Sequence, residues 1–267
     1  MFRSFEARRR AVQIFFAALT NSFVTGFLTG KIYGGRLKMV CAPGLNCYSC
    51  PGALLACPIG ALQAVLSSRG FLFSRYVFGF LTIVGALLGR FVCGFLCPFG
   101  LIQDLLHKIP FPKKIRTFAG DRLLRYLKYA VLAVFVVLLP LFAVDIVGQG
   151  SPWFCKWICP AGTLEAGIPL VLANPGFRSA VGFLYAWKMV ILAAVILLSL
   201  MIYRPFCKYL CPLGAIYGLF NPVSLYRVKA ASACADCKMG CRPNDRECIR
   251  CAGWPRAARE KSISSQG

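Results

Sequence analysis

Four stretches of the chain are apolar almost throughout, at about 11–30, 71–91, 126–147 and 181–203. Each holds the ~20 apolar residues that a hydrocarbon core of ~30 Å requires. Lipid offers backbone polar groups no partner, so the pattern predicts four transmembrane helices. Shorter apolar pieces near 58–66, 98–109, 160–173 and 212–220 are broken by Pro and Gly and read as half-helices or interfacial segments. From Asn221 onward the chain turns polar. The fold class expected is an all-α integral membrane protein with about four transmembrane helices, half-helix repeats and a small C-terminal tail.

Composition agrees with that pattern. The chain is 58% hydrophobic, too apolar for an ordinary soluble domain of 267 residues. The formal charge of +22 would suggest nucleic acid in a soluble protein, but no nucleic-acid motif accompanies it. Basic residues flanking membrane helices beside anionic headgroups explain it better, so the lipid bilayer is an expected partner and nucleic acid is not. Lys and Arg concentrate at Arg3, Arg8, Arg9 and Arg10, in the connection from Lys108 to Arg125, and from Arg204 to Lys261. The other connections are poorer, holding Lys31, Arg36, Lys38 and Arg69 in one and Lys156 and Arg178 in the other. By the positive-inside rule the chain is a multi-pass protein of a bacterial or archaeal cytoplasmic membrane with both termini cytoplasmic. The first apolar stretch is too long for a signal-peptide h-region and lacks a clear small-x-small cleavage site, so it reads as a retained helix.

The chemistry lies in 15 cysteines. Cys-Pro-x-Gly occurs four times, at Cys57, Cys97, Cys159 and Cys211. Three of these have a second cysteine four residues upstream (Cys93, Cys155 and Cys207), while Cys57 is preceded by Cys41, Cys47 and Cys50. Positions i and i+4 share a helix face, which brings two sulfurs together. Proline starts the next helix at no cost in hydrogen bonds, and the fresh N-terminus stabilises thiolate charge. Two such pairs supply the four thiolates of a [4Fe–4S] or [2Fe–2S] cluster. The motifs follow the four spans in turn and alternate sides, which pairs Cys93 and Cys97 with Cys207 and Cys211 on the cytoplasmic side. Cys155 and Cys159 then share the outer side with Cys41, Cys47, Cys50 and Cys57, two of which would complete a second cluster. Structural zinc competes at the first site and disulfides at the second. The chain thus divides into membrane repeats at 1–112 and 113–222 and a cysteine-rich tail at 223–267.

The tail carries Cys234, Cys237, Cys241, Cys248 and Cys251, a ferredoxin-like pattern with enough ligands for one cluster. Cys234, Cys237, Cys248 and Cys251 are the preferred ligands, Cys241 is a contender, and a zinc knuckle is the alternative. The count expected is two or three [4Fe–4S] clusters, with [2Fe–2S] open at a membrane site.

Three stretches carry a family resemblance: R-F-V-C-G-F-L-C-P-F-G at Arg90–Gly100, R-P-F-C-K-Y-L-C-P-L-G at Arg204–Gly214, and E-C-I-R-C at Glu247–Cys251. They resemble the NapH-like membrane ferredoxins, a group that includes the membrane portions of NosR-type and CcoG-type proteins. The resemblance implies electron transfer between a quinol pool or cytoplasmic donor and a redox partner at the membrane. It also implies a role as a subunit of an oxidoreductase complex in preference to a stand-alone enzyme. The tail departs from the family's two-cluster ferredoxin module by being shorter. No acid–base pair competes for a catalytic role, since the chain has one histidine and nine carboxylates. That histidine, His107, could serve a quinone headgroup, although a solvated or lipid-facing histidine is the plainer reading. The rival function is a metal-handling or thiol-redox membrane protein that uses the cysteines for zinc, copper or disulfides.

Overall fold

The computed structural model describes residues 2–67, 75–112, 114–115, 118–143, 150–179, 181–226, 239, 241 and 244–250. Among the described residues the protein is helical and contains no strand; two isolated bridges join Cys41 to Ala56 and Ile115 to Ile202. Two helices are long and apolar enough to cross a membrane: Asp121–Phe142, with a mean hydropathy of 1.9, and Phe183–Met201, with 2.2. Only 22% and 17% of these stretches is buried inside the molecule, whereas the core helix of a soluble protein would be mostly covered.

The other two expected spans take a different form. The first helix runs from Phe2 to Thr20 and the chain turns before a second piece, Val24–Thr29. Side chains cause the break. Thr20 donates to the carbonyl of Phe16 at 2.9 Å, Asn21 to Ala17 at 3.0 Å and Ser22 to Leu19 at 3.2 Å, all folding back on the last turn. In place of 71–91, the described helix is Arg75–Leu88, 14 residues long, closed by Gly89 at φ 53°. Residues 68–74 lie outside the described set.

The four apolar pieces after the cysteine motifs are helices: Pro58–Ser67, Pro98–Leu106, Pro160–Ala173 and Pro212–Phe220. Each begins on the proline of Cys-Pro-x-Gly, whose fixed φ and missing N–H suit the first helical position. The cysteine before it is an extended N-cap in three cases, with φ/ψ of −85/115° at Cys97, −67/108° at Cys159 and −71/113° at Cys211. The upstream cysteine is the third residue of a five-residue helix: Cys93 in Phe91–Phe95, Cys155 in Trp153–Trp157 and Cys207 in Pro205–Tyr209. The two sulfurs of a motif thus lie on either side of a helix break.

Buried ion clusters fasten the motifs to the helices around them. Asp104 bonds Arg204 and stands 3.0 Å from Arg9. Glu247 joins Arg90 at 2.9 Å and Lys128. Asp121 takes Lys208 and Arg125, both at 2.6 Å, and the Tyr209 hydroxyl. Removing one partner of such a group leaves charge buried and uncompensated. Asp104→Ala should therefore cost about 3–5 kcal/mol of stability, whereas Glu6→Ala, which breaks the partly exposed helical pair with Arg10, should cost about 1 kcal/mol or less. Thermal denaturation of both variants in detergent checks the contrast.

Candidate cysteine sites

Cys93, Cys97, Cys207 and Cys211 come together in the core, each between 4% and 6% exposed and each a free thiol. Burial, then the neighbouring Cys207 and Cys93, holds the Cys97 thiol well above its ordinary range; the same causes act on Cys211. We call this group site A.

Two arginines build site A by reaching across the repeat. Arg90 stands three residues before Cys93 and donates to the carbonyl of Cys207 at 3.0 Å. Arg204 stands three residues before Cys207 and donates to the carbonyl of Cys93. Both are fully buried. The glycine of each motif makes room for this exchange: a Cβ on Gly100 would stand 3.1 Å from the Arg204 guanidinium, and one on Gly214 3.1 Å from that of Arg90. Arg204 itself sits at φ 50°, a left-handed conformation that a non-glycine residue holds only where its surroundings fix it.

Cys47, Cys57, Cys155 and Cys159 form site B, where they line a cavity of about 330 Å³. A Cβ on Gly162 would stand 3.6 Å from the Cys47 sulfur, 4.0 Å from that of Cys159 and 3.9 Å from the Lys188 ammonium. Burial, then Cys57, pushes the Cys155 thiol up to about 12. Asn46 also lines the cavity, fully buried, with neither side-chain polar atom hydrogen-bonded. Cys41 and Cys50 are buried but outside the cavity wall: Cys41 is bridged to Ala56, and Cys50 packs under the amides of Gly52 and Ala53.

All four Cys-Pro-x-Gly motifs share one contact, the glycine N–H donated to the sulfur three residues before it. Gly214 serves Cys211 at 3.4 Å, and Gly60, Gly100 and Gly162 serve Cys57, Cys97 and Cys159 in the same way. These N–H groups belong to the first turn of each helix, which has no intrahelical acceptor for them.

The sixth residue after each Cys-Pro cysteine is also polar and was not singled out by the sequence reading. Gln103 donates to the Cys207 sulfur at 3.2 Å and accepts the Phe206 N–H at 3.2 Å. Gln63 does the same in site B, donating to Cys155 at 3.3 Å and accepting the Phe154 N–H at 3.0 Å. Glu165, in a π-helical turn, accepts the Cys47 N–H at 2.7 Å, and burial pushes its carboxyl up to about 7. Tyr217, fully buried, donates to the Pro43 carbonyl at 2.9 Å and stands near cysteines of both sites. The constant offset from Cys57, Cys97, Cys159 and Cys211 was the available signal.

The 41–57 loop joins the sites. Its Leu45 N–H serves the Cys97 sulfur of site A, and the next amide, Asn46 N–H, serves the Cys57 sulfur of site B. Adjacent residues stand ~3.8 Å apart, so these two sulfurs are separated by on the order of 10 Å once two N–H···S contacts are added.

In the tail, Cys234, Cys237 and Cys251 lie outside the described residues. Cys241 and Cys248 are partly buried, and the Cys248 carbonyl accepts from Asn221 at 3.0 Å. The Ile249 carbonyl abuts Gly94, between the two cysteines of the Cys93 motif, and leaves no room for a Cβ there. His107 is fixed within the protein, its Nδ1 3.2 Å from the Ser199 carbonyl and its ring edge-on to Tyr203.

The donor sets suit an iron–sulfur cluster. Each site offers four thiols, all buried in site A and buried or partly buried in site B, that repel one another as thiolates and carry amide donors aimed at sulfur. Among the described residues no three His, Cys, Asp or Glu side chains are spaced to hold a single metal ion.

Sequence comparison agrees with this chemistry. A family described as 4Fe-4S binding domain matches residues 55–76, 71–117, 129–168 and 185–229, more than half of the chain, and each matched stretch contains one Cys-Pro-x-Gly. The chain belongs to this 4Fe–4S binding family. An uncharacterized protein of Methanocaldococcus jannaschii is 27% identical over 206 residues, which are 69% of this chain and 75% of that protein. The methylamine utilization ferredoxin-type protein MauN of Methylorubrum extorquens is 28% identical over 69% of this chain and 55% of its own length. The regulatory protein NosR of Pseudomonas aeruginosa is 30% identical over 58% of this chain and 19% of its own length. The chain thus spans about half of MauN and a fifth of NosR. No solved structure matches.

The loop contact gives a prediction. A Cβ on Gly44 would stand 2.9 Å from both the Cys97 Cα and the Leu96 carbonyl oxygen, so the loop must retreat. Gly44→Ala should cost roughly 1–3 kcal/mol and lower the iron content of the purified protein, checked by thermal denaturation and iron analysis.

Proposed function

We propose that this chain is a membrane electron conduit with two [4Fe–4S] clusters in its membrane part. Cys93, Cys97, Cys207 and Cys211 hold one in site A; Cys47, Cys57, Cys155 and Cys159 hold the other in site B. When bound, the clusters take up and release single electrons, and the protein sets their potential through burial and hydrogen bonds to sulfur. The observation that carries this reading is the repeated donor pattern. In both sites a glutamine on one half-helix fixes a cysteine of the partner motif and the amide just before it.

The arrangement of the chain supports passage between the sites. Clusters at opposite faces of a ~30 Å core would be too far apart for fast direct transfer. The 41–57 loop shortens that gap by lending successive amides to both sites. Backbone of this kind is tolerated at membrane depth where protein covers it, and Ala42, Leu45 and Asn46 are buried. Four crossings with both termini cytoplasmic remain the topology proposed. It is supported by the two long apolar helices and by the Lys and Arg distribution. The tail, docked on the Cys93 motif through Ile249 and Glu247, would hold a third cluster on Cys234, Cys237, Cys248 and Cys251, with Cys241 the contender. A ferredoxin-type relative such as MauN supports a redox partner subunit, and a quinone is the proposed small-molecule donor or acceptor.

Iron and sulfide analysis of anaerobically purified protein tests this. Cys97→Ser and Cys159→Ser should each remove one cluster's worth of iron and sulfide, with different paramagnetic signals lost. Identical losses in both variants would contradict two separate sites. A colourless wild-type protein with stoichiometric zinc or copper would favour the metal-handling reading instead.

A further inference from the structure

The two sites receive equal help from their glutamines but differ in the charge built around them. At site A the fully buried Arg90 and Arg204 reach the carbonyls of Cys207 and Cys93. Each shares its carboxylate with a second buried cation: Arg204 and Arg9 flank Asp104, and Arg90 and Lys128 flank Glu247. Each cluster of three therefore carries one positive charge in excess, next to the sulfurs.

Site B has no buried cation among its described neighbours. Its corresponding helix position is Glu165, which takes the Cys47 N–H at 2.7 Å and, when ionised, repels charge on Cys47 and Cys57. Three lysines outnumber it, but solvent screens them: the partly buried Lys188 donates to the Cys155 carbonyl at 3.2 Å, the partly buried Lys38 donates to that of Ala53 at 2.7 Å, and Lys156 is exposed on the cavity wall. At the equivalent position of site A stands Tyr217, which is uncharged and points to the loop.

Reduction adds one negative charge to a cluster, so buried positive charge favours it and a nearby carboxylate opposes it. We propose that site A is the higher-potential site and that electrons run from site B to site A. The inference rests on the two-cluster reading above. In the step itself one electron leaves the reduced cluster of site B and enters the oxidised cluster of site A. No bond to protein breaks and no further reactant is consumed. The Leu45–Asn46 amides and Tyr217 lie between the two.

Redox titration of the anaerobic wild-type protein in detergent, followed by paramagnetic resonance, tests this. Signals are assigned by their loss in Cys97→Ser and Cys159→Ser. The signal lost in Cys97→Ser should titrate above the one lost in Cys159→Ser by about tenfold or more in the reduction equilibrium constant, ~59 mV for one electron. Glu165→Gln should raise the site B midpoint by about the same factor and leave that of site A in place. A site B midpoint at or above that of site A overturns the inference, as does a site B midpoint unmoved in Glu165→Gln. Loss of the same signal in both cysteine variants, or no iron at all, would instead overturn the two-cluster reading and the inference with it.

Discussion

The rest of the structure depends on an exchange of two buried guanidinium groups. Arg90 and Arg204 occupy equivalent places in the repeat, and each bonds the cysteine carbonyl of the other's motif. A buried arginine is tolerable only when paired and hydrogen-bonded. Asp104, Glu247, Lys128 and Arg9 are therefore drawn inward with them, and through these the first helix, the Asp121–Phe142 helix and the tail are fixed to the same core. The glycines of the two site A motifs follow from this, because a Cβ at Gly100 or Gly214 would crowd a guanidinium at 3.1 Å. One electrostatic requirement accounts for residues spread from Arg9 to Arg250, since the tail segment that carries Glu247 also sends Arg250 to the carbonyls of Leu88 and Asn221.

Much of this was legible in the sequence. A cysteine followed by proline announces an extended cap and a helix start, and all four half-helices begin at that proline. The first span was less legible, because apolar content masks the local effect of Thr20, Asn21 and Ser22, whose side chains compete for the backbone of the last turn. The polar residue six places after each Cys-Pro cysteine was equally regular but changes identity among Gln, Glu and Tyr. Such a pattern appears only when the four motifs are laid over one another. The choice of Cys47 over Cys41 and Cys50 as a wall of the cavity could not be read from spacing, because it depends on how the loop folds back on Gly162 and Cys97.

That loop changes the physical picture of the proposed conduit. A motif after each of four spans suggests sites held apart at the two faces of a bilayer. The fold instead sends the segment between Cys41 and Cys57 against Cys97, with Tyr217 tying Pro43 to the opposite half-helix. The two sets of thiols then share one buried core with a single turn of backbone between them. Asn46 sits in that turn with an unpartnered amide facing the cavity, as expected where a bound cluster's sulfurs complete the hydrogen bonding.

The central claim is that two clusters lie on either side of this turn. Paramagnetic resonance of the fully reduced protein tests it most directly, because two reduced clusters whose facing ligand sulfurs lie on the order of 10 Å apart couple magnetically. The account predicts signals broadened by mutual interaction that sharpen to those of an isolated cluster when either set of ligands is disrupted. A fully reduced spectrum equal to the simple sum of two non-interacting clusters, or the signal of one cluster alone, would contradict it.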